Sequence, residues 1–277
     1  MKVLHRIGFT KDDFPDFTRY LTNNRILLPD TEQICSITIS ENSQHWPYIR
    51  DFVENNNLLC LSETVFSKKE LFEADWLLVR SRWRFGYPQP QGNYDYEEIT
   101  YTRVDQCAFC GVGLKQVRPF QIQKSPRWKN NHFFELNWIG DELFVDSFAK
   151  NILQESGITG VSFDEVRDIK RDQPFRDVFQ LYIPHVLKEG LLSSTQAIAK
   201  TTKCMNCGRN KYLRSGIGML EFEREIFEEA PDVVKSFESF GDGFYACRKI
   251  LVRKKFYHTI ASKEIGKQLV FEPVKLV

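Results

Sequence analysis

The chain has 277 residues, a formal net charge of +1 and 14% aromatic residues, including 23 Phe. A near-neutral charge argues against a protein that coats nucleic acid, because such proteins carry a strongly basic face. The apolar fraction of 42% is typical of a folded globular protein and excludes wholesale disorder. No apolar stretch approaches the ~20 residues that cross a bilayer, and no signal peptide is recognisable. We therefore expect a cytoplasmic protein that makes no membrane contact.

The first hundred residues contain signals for both strands and helices. Residues 34–40 alternate between polar and apolar side chains, which predicts a half-buried strand with Cys35 on its apolar face. Pro47 begins a helical pattern, and the capping-box spacing of Ser67 and Glu70 predicts a second helix. Residues 77–85 then predict a strand that pairs with 99–104 in a long hairpin. We expect residues 1–100 to form an N-terminal α/β layer.

Three pairs of segments indicate an internal repeat in the rest of the chain. Residues 107–111 (CAFCG) match 204–208 (CMNCG), residues 139–145 match 240–246, and residues 160–166 match 268–274. The matches keep the same order at nearly the same spacing, which is less probable by chance than any single match. We expect one repeat lobe in residues 101–175, and a linker helix with a second lobe in residues 176–277.

Helical patterns are predicted in both halves of this region. After Asp141, the side chains of Phe144, Phe148 and Ile152 fall on one stripe, and Gly157 ends the pattern. Residues 175–199 carry a second helical pattern. The predicted fold class is therefore α+β, with two related lobes and the N-terminal layer.

Two Cys-x-x-Cys-Gly motifs are the strongest chemical signal in the sequence. Each motif places two sulfurs on one side of a tight loop, and the trailing glycine allows backbone N–H groups to turn toward them. Zinc prefers four such ligands in a tetrahedron. We predict that Cys107, Cys110, Cys204 and Cys207 share one structural zinc per chain, which clamps the two lobes together.

Other interpretations of the cysteines remain open. The two motifs could be redox dithiols, although no thioredoxin-like βαβ unit surrounds them, or cysteines that bind no metal. Four sulfur ligands leave no open position for substrate, so a catalytic zinc is not favoured. The remaining cysteines, Cys35, Cys60 and Cys247, are interpreted as ordinary core or half-buried residues.

Three arginines on one face of the predicted 77–85 strand form a second candidate site. Arg80, Arg82 and Arg84 would make a positive ridge beside Trp83, suited to an acidic protein surface or a phosphate. We take these four residues as the candidate partner-binding site, with Trp76 and Tyr87 as further anchors. A solvated sheet face, with Glu97 or Glu98 as cross-strand partners, explains the same pattern.

The sequence contains no recognisable active site. Its five histidines are scattered, and no phosphate-binding loop, nucleophile elbow or zinc-protease motif occurs. Asp141 and Asp242 both follow a glycine and are the first candidates for catalytic carboxylates, although a helix N-cap explains both. We therefore expect a protein that is not an enzyme.

The two cysteine motifs resemble those of the bacterial double-CXXCG motif family, which occurs as many paralogues in myxobacteria. Residues 147–166, and the Phe-Glu-Pro-Val segment at 271–274, also resemble that family. The resemblance covers about residues 100–277. The first closing strand departs from it, because it contains Asp-Glu-Val where Phe-x-Pro-Val is expected.

The resemblance implies a binding function. Members of the family are associated with toxin–immunity loci, so the implied partner is a cognate toxin protein that this chain neutralises by direct contact. Two alternatives stay open. A zinc-containing nucleic-acid-binding protein would need a continuous basic surface, and an enzyme would need an unrecognised active site.

Overall fold

A computed structural model describes residues 1–28 and 34–277, which form two compact units of mixed α+β structure. The N-terminal unit comprises residues 1–67 and the short segment 215–218, and the C-terminal unit comprises residues 68–214 and 219–277. The predicted α+β class is confirmed. None of the described helices combines the length and the hydrophobicity needed to cross a membrane.

The N-terminal unit is an antiparallel sheet packed against two helices. Its elements are β1 (Lys2–Thr10), α1 (Pro15–Asn23), β2 (Ile34–Ser40), α2 (Trp46–Asn55) and β3 (Leu59–Val65). β1 lies between the other two strands, and its inward side chains Ile7 and Phe9 meet Phe17 of α1 and Ile49 of α2. β2 buries alternate residues beginning with Cys35, so the predicted strand is confirmed.

The C-terminal unit contains most of the sheet structure. Its elements are α3 (Lys68–Glu73), β4 (Trp76–Ser81), α4 (Tyr96–Thr100), β5 (Tyr101–Thr102), β6 (Lys115–Gln116), β7 (Gln121–Ile122), β8 (Phe133–Phe134), β9 (Leu143–Val145), α5 (Ser147–Glu155), β10 (Ser162–Asp168), β11 (Gln173–Tyr182), β12 (Ile198–Lys203), β13 (Asn210–Arg214), β14 (Glu221–Phe222), a 3₁₀ turn (Arg224–Phe227), β15 (Val233–Lys235), β16 (Ser239–Phe240), β17 (Ile250–Arg253), α6 (Lys254–Ser262), β18 (Leu269–Pro273) and β19 (Lys275–Leu276). The predicted helices at Pro47 and Ser67 correspond to α2 and α3.

Two larger sheets in this unit share one connection pattern. The order of one sheet is β7-β10-β11-β9-β8, and that of the other is β15-β17-β4-β18. In the first, α5 connects β9 to β10, and β11 lies between these strands and antiparallel to both. In the second, α6 connects β17 to β18, and β4 takes the middle position. Both helices pack into one core.

This shared topology does not follow the predicted sequence matches throughout. Residues 143–145 form β9, whereas the matched residues 244–246 lie in a turn and the short loop after it. The strand that takes the position of β9 in the second sheet is Ile250–Arg253. An internal repeat of the sequence therefore stays a prediction.

The strand predicted at residues 77–85 differs from the observed one in length, partners and burial. β4 ends at Ser81, and it pairs with β17 and β18 instead of with residues 99–104. Leu77 and Val79 face one core, while Trp76 and Leu78 face another. Because both faces are covered, an alternating pattern is absent from most of the strand. β4, which we had placed in the N-terminal layer, thus belongs to a central sheet of the C-terminal unit.

Two other sequence predictions are corrected by the structure. Residues 173–182 form β11 and not a helix, because Val178 and Gln180 are buried on one face while Phe179 and Leu181 pack on the other. The N-cap of α5 is Asp146, whose carboxylate accepts a 2.8 Å hydrogen bond from the Ala149 N–H. Neither Asp141 nor Asp242 caps a helix. The predicted stop at Gly157 is confirmed by its φ of 61°.

Candidate metal centre

The four cysteines of the two motifs meet at one point of the C-terminal unit. Their Sγ atoms all lie within 4.8 Å of one another. The distance is 3.7 Å between the Sγ atoms of Cys107 and Cys204, and 3.7 Å between those of Cys110 and Cys207. These separations are too long for disulfide bonds, which measure about 2.05 Å. The four thiols could hold one metal ion.

The spacing of the sulfurs fits a tetrahedral ion. A zinc ion with Zn–S distances of about 2.3 Å separates its ligand sulfurs by about 3.8 Å. The two 3.7 Å distances agree with that value. Such a set is complete, because four sulfurs occupy every position of the tetrahedron. A metal ion bound by this donor set would therefore cross-link two distant segments of the chain.

Both motifs fold into the same backbone turn, which we call a knuckle. In the first, the Gly111 N–H donates to the Cys107 carbonyl at 2.9 Å, and in the second the Gly208 N–H donates to the Cys204 carbonyl at 2.8 Å. Gly111 and Gly208 have φ of 74° and 72°, a conformation that costs side-chain-bearing residues about 1–2 kcal/mol. The glycine of each motif is thus required by the turn.

Hydrogen bonds within the knuckles favour thiolates at their first cysteines. The side chain of Asn206 donates to Cys107 Sγ at 3.4 Å, and together with the N–H groups of Cys110 and Phe109 it lowers the pKa of Cys107 to about 6. The pKa of Cys204 is lowered by the N–H groups of Cys207 and Asn206. These donors stabilise the form that binds a metal.

The second cysteine of the first knuckle behaves differently when no cation is present. Burial raises the pKa of Cys110 to about 12, and the neighbouring thiols contribute to the increase. A group of four sulfurs cannot ionise together without a positive charge in their midst. The cluster therefore needs a cation, or retained protons, to be stable.

Two basic side chains reinforce the join between the knuckles. Arg209 Nη1 donates to the carbonyls of Asp105 and Val112 at 3.1 and 3.0 Å. Lys211 Nζ donates to the carbonyl of Cys110 at 3.0 Å. Four thiolates around a divalent cation leave an excess of negative charge, which these two cations offset. Sequence reasoning missed both residues, because single basic residues carry no motif.

The apolar residues at the tips of the knuckles are exposed. Phe109 lies between the cysteines of the first motif and is 74% exposed, and Met205 lies in the second motif and is 98% exposed. Large apolar side chains at such exposure mark candidate contact surfaces when they occur together. We call this pair the knuckle tips.

The candidate arginine ridge is less uniform than the sequence suggests. Arg84 forms a 2.7 Å ion pair with the buried carboxylate of Glu135 and donates to the carbonyls of Leu136 and Ile139. Arg80 forms a longer ion pair, 3.8 Å, with Glu272. Arg82 is exposed and makes no side-chain hydrogen bond or ion pair to the described residues. Of the three arginines, Arg82 is the one whose guanidinium forms no ion pair with a described acidic residue.

The aromatic anchors proposed beside the ridge are mostly part of the core. Trp83 is half-buried and contacts Trp128 and Phe134 edge-on. Trp76 is only 3% exposed, so it cannot serve as an anchor, and that expectation is corrected. Tyr87 is exposed but packs against Trp138.

The other sequence candidates lie away from the four sulfurs. Cys35, Cys60 and Cys247 lie outside the cluster and form no disulfide bond. Asp242 is exposed in a turn, whereas Asp141 lines a cavity described below. No family model matches the sequence, and no curated protein or solved structure is significantly similar to it.

Proposed function

We propose that this chain is a zinc-stabilised binding protein, and that it acts as an immunity protein that neutralises a bacterial toxin by direct contact. The observation that carries the proposal is the meeting of four thiols from two distant motifs. This site resembles, in its two Cys-x-x-Cys-Gly motifs, the double-CXXCG family, whose members include immunity proteins. A complete ligand set favours a structural role for the metal.

Zinc is the metal that this ligand set favours. Four thiolates in a tetrahedron suit zinc, which has no geometric preference of its own and binds sulfur well. One ion per chain would cross-link residues 107–110 to residues 204–207. The cross-link supplies folding energy and keeps the surrounding surface in one arrangement, so less ordering is needed when a partner binds.

The knuckle tips and Arg82 are the surface features that favour a protein partner. Phe109 and Met205 offer exposed apolar area that is fixed by the metal site. Arg82 offers a guanidinium without an ion pair to the described residues, and Arg80, Trp83 and Arg84 are its neighbours in the sequence. Aromatic, methionine and arginine side chains are enriched at protein interfaces, where a few of them supply most of the binding energy.

The metal component is tested by elemental analysis combined with native mass spectrometry. We expect one zinc per chain in the unaltered protein, and its loss in both Cys107→Ser and Cys204→Ser. Cys60→Ser is the matched control, since Cys60 lies in the N-terminal unit, and it should retain the metal. Two metals per chain, or loss in only one of the two variants, would contradict a shared site.

The partner component is tested by growth rescue. Each protein encoded beside this gene is expressed in a bacterial host, with and without this chain. We expect one of them to arrest growth and this chain to restore it. The double variant Phe109→Ser/Met205→Ser should lose rescue while it keeps its zinc, and Val117→Ser, an exposed apolar control, should rescue. If none of the neighbouring proteins arrests growth, or if this chain does not relieve the arrest, the result argues against the immunity function.

A further inference from the structure

A cavity of about 680 Å³ lies beside the metal centre within the C-terminal unit. Its size falls in the range of about 300–1,000 Å³ that is usual for small-molecule sites. Aromatic rings from three segments of the chain line it: Tyr94, Tyr96, Tyr101, Trp138, Phe244 and Tyr245. Such walls favour a ligand with a flat apolar portion.

Two opposite charges in this cavity have no hydrogen-bond or ion-pair partner among the described residues, although both lie within electrostatic range of Lys235. Neither Asp141 nor Arg248 makes a side-chain hydrogen bond or ion pair to any described residue, and the Nε atom of Arg248 is buried without an acceptor. The other arginines of the wall are already neutralised, since Arg84 pairs with Glu135 and Arg103 pairs with Glu97. A shielded charge without a partner is costly, so such a group points to a ligand or ordered water.

Both residues belong to the part of the lining that a neighbouring cavity shares. Asp141 and Arg248 also line a second cavity of about 740 Å³, so they stand on the wall that the two cavities share. Their charged atoms are not within ion-pair distance of each other. Burial raises the pKa of Tyr101, and the carboxylate of Asp141 adds to that increase. The carboxylate thus lies within electrostatic range of one ring of the aromatic wall.

The aromatic wall contains strained backbone. Tyr94 and Trp138 have φ of 65° and 69°, and their ring centroids lie 4.6 Å apart. Bulky residues seldom adopt this left-handed conformation, which costs about 1–3 kcal/mol and occurs most often at binding sites. Two such residues in contact in one cavity wall are the second observation that points to a ligand.

We propose that this cavity binds a small zwitterion of the aromatic α-amino acid class. The ligand ammonium pairs with Asp141, the ligand carboxylate pairs with Arg248, and the ring lies against Trp138 and Tyr94. A simple cation would leave Arg248 unpaired, and a simple anion would leave Asp141 unpaired. A molecule that carries both charges satisfies the two groups at once. The argument for this site does not rest on the proposed toxin contact.

Isothermal titration calorimetry on the full metal-loaded chain tests the proposal with three matched ligands. L-tryptophan carries both charges, tryptamine lacks the carboxylate and indole-3-propionate lacks the ammonium. We expect L-tryptophan to bind, and each analogue to bind at least about tenfold more weakly, equivalent to ~1.4 kcal/mol. No binding of L-tryptophan at millimolar concentration would overturn the proposal, as would equal binding of tryptamine.

Substitutions then locate the site. Asp141→Asn and Arg248→Met should each weaken L-tryptophan binding at least about tenfold. The controls Asp242→Asn and Arg171→Met change exposed residues of the same types outside the cavity and should bind as the unaltered chain does. Binding that survives both cavity substitutions would overturn the assignment. If a cavity variant does not fold, as judged by thermal melting, the three-ligand comparison on the unaltered chain decides.

Discussion

Lys211 Nζ lies 3.0 Å from the carbonyl oxygen of Cys110, so a buried ammonium of β13 holds the first cysteine knuckle. The same ammonium donates to the carbonyls of Gly243 and Tyr245. One side chain thus joins a metal-binding turn to the loop that carries two aromatic residues of the cavity. Removing it leaves three carbonyls without their donor.

We therefore expect Lys211→Met to lower the free energy of unfolding by about 3 kcal/mol, because it leaves one buried and two part-buried acceptors without their charged donor, and a buried acceptor without a donor costs about 1–3 kcal/mol. Chemical denaturation measures this change. Lys200→Met removes an exposed lysine of β12 and should change stability by less than about 0.5 kcal/mol. Equal effects of the two substitutions would mean that the buried ammonium has no special role.

The two knuckle glycines provide a matched pair of substitutions. At Gly208, an added Cβ meets nothing within 4 Å, so Gly208→Ala should cost only the ~1–2 kcal/mol of its left-handed backbone. At Gly111, the Cβ would lie 1.9 Å from the carbonyl oxygen of Phe244, so the loop must move. Gly111→Ala should cost at least about 2 kcal/mol more and weaken zinc retention during titration with a chelator. Similar costs for both variants would contradict this difference.

A buried ion pair joins the two halves of the C-terminal unit. Lys235 of β15 donates to the carboxylate of Glu142, and Gln180 of β11 donates to the same carboxylate at 3.0 Å. Burial raises the pKa of Glu142, which Lys235 counteracts by favouring the ionised form. Lys235→Met should therefore destabilise the protein by about 3–5 kcal/mol, because it leaves a buried charge alone.

A double-mutant cycle measured by urea unfolding tests this pair. Glu142→Gln keeps the size and shape of the side chain and an oxygen acceptor but removes its charge. Combining it with Lys235→Met should restore part of the lost stability, since no unpaired charge remains. Additive costs of the two substitutions would show that the pair is not coupled.

His5 should make the N-terminal unit sensitive to acid. Its ring stacks on Trp46 at 3.7 Å, its Nδ1 lies 2.9 Å from Ser62 Oγ, and its Nε2 is buried without a partner. Burial lowers the pKa of His5, although Glu41 partly opposes this. The unfolded chain, with a histidine pKa near ~6.5, then binds a proton more readily than the folded chain does. The contribution of neutral His5 to the free energy of unfolding is therefore fully present above the pKa of histidine in the unfolded chain. It is lost as the pH falls from that value toward the lower pKa of His5 in the folded chain.

Hydrogen exchange of β1 amides between pH 7 and pH 5, corrected for intrinsic rates, measures this loss. The loss should be smaller in His5→Gln, which cannot titrate, and unchanged in His185→Gln, an exposed control in the C-terminal unit. A loss of protection in His5→Gln equal to that of the unaltered chain would exclude His5 as its cause.

Local patterns predicted the features that depend on neighbouring residues. The Cys-x-x-Cys-Gly spacing fixes a knuckle by itself, and two knuckles supply four ligands, so the meeting of Cys107 with Cys204 could be anticipated. β2 was predictable because only one of its faces is buried and its side chains alternate. α2 was predictable because its apolar residues, such as Ile49 and Val53, lie on one face.

The failures share a physical cause. β11 lies between two other strands, and both faces of its second half are covered, so its sequence lacks the alternation that identifies a strand. β4 was predicted as a strand, but its position between β17 and β18 depends on residues far away in the chain. Lys211 and the cavity pair of Asp141 and Arg248 depend on contacts between segments far apart in the chain. Nothing in the residues next to Lys211 and Arg248 distinguishes them from ordinary surface charges, and Asp141 stood out only as one of two aspartates that follow a glycine.

The central position of β4 has a consequence for synthesis on the ribosome. The strand Trp76–Ser81 pairs along both edges with strands that are synthesised much later, Ile250–Arg253 and Leu269–Pro273. The nascent chain therefore presents the apolar segment 76–79 without its partner strands until residues 250–273 have been synthesised, and such segments aggregate readily. Deleting residues 268–277 removes all of β18 and β19, so the truncated product should depend on chaperones and accumulate in inclusion bodies.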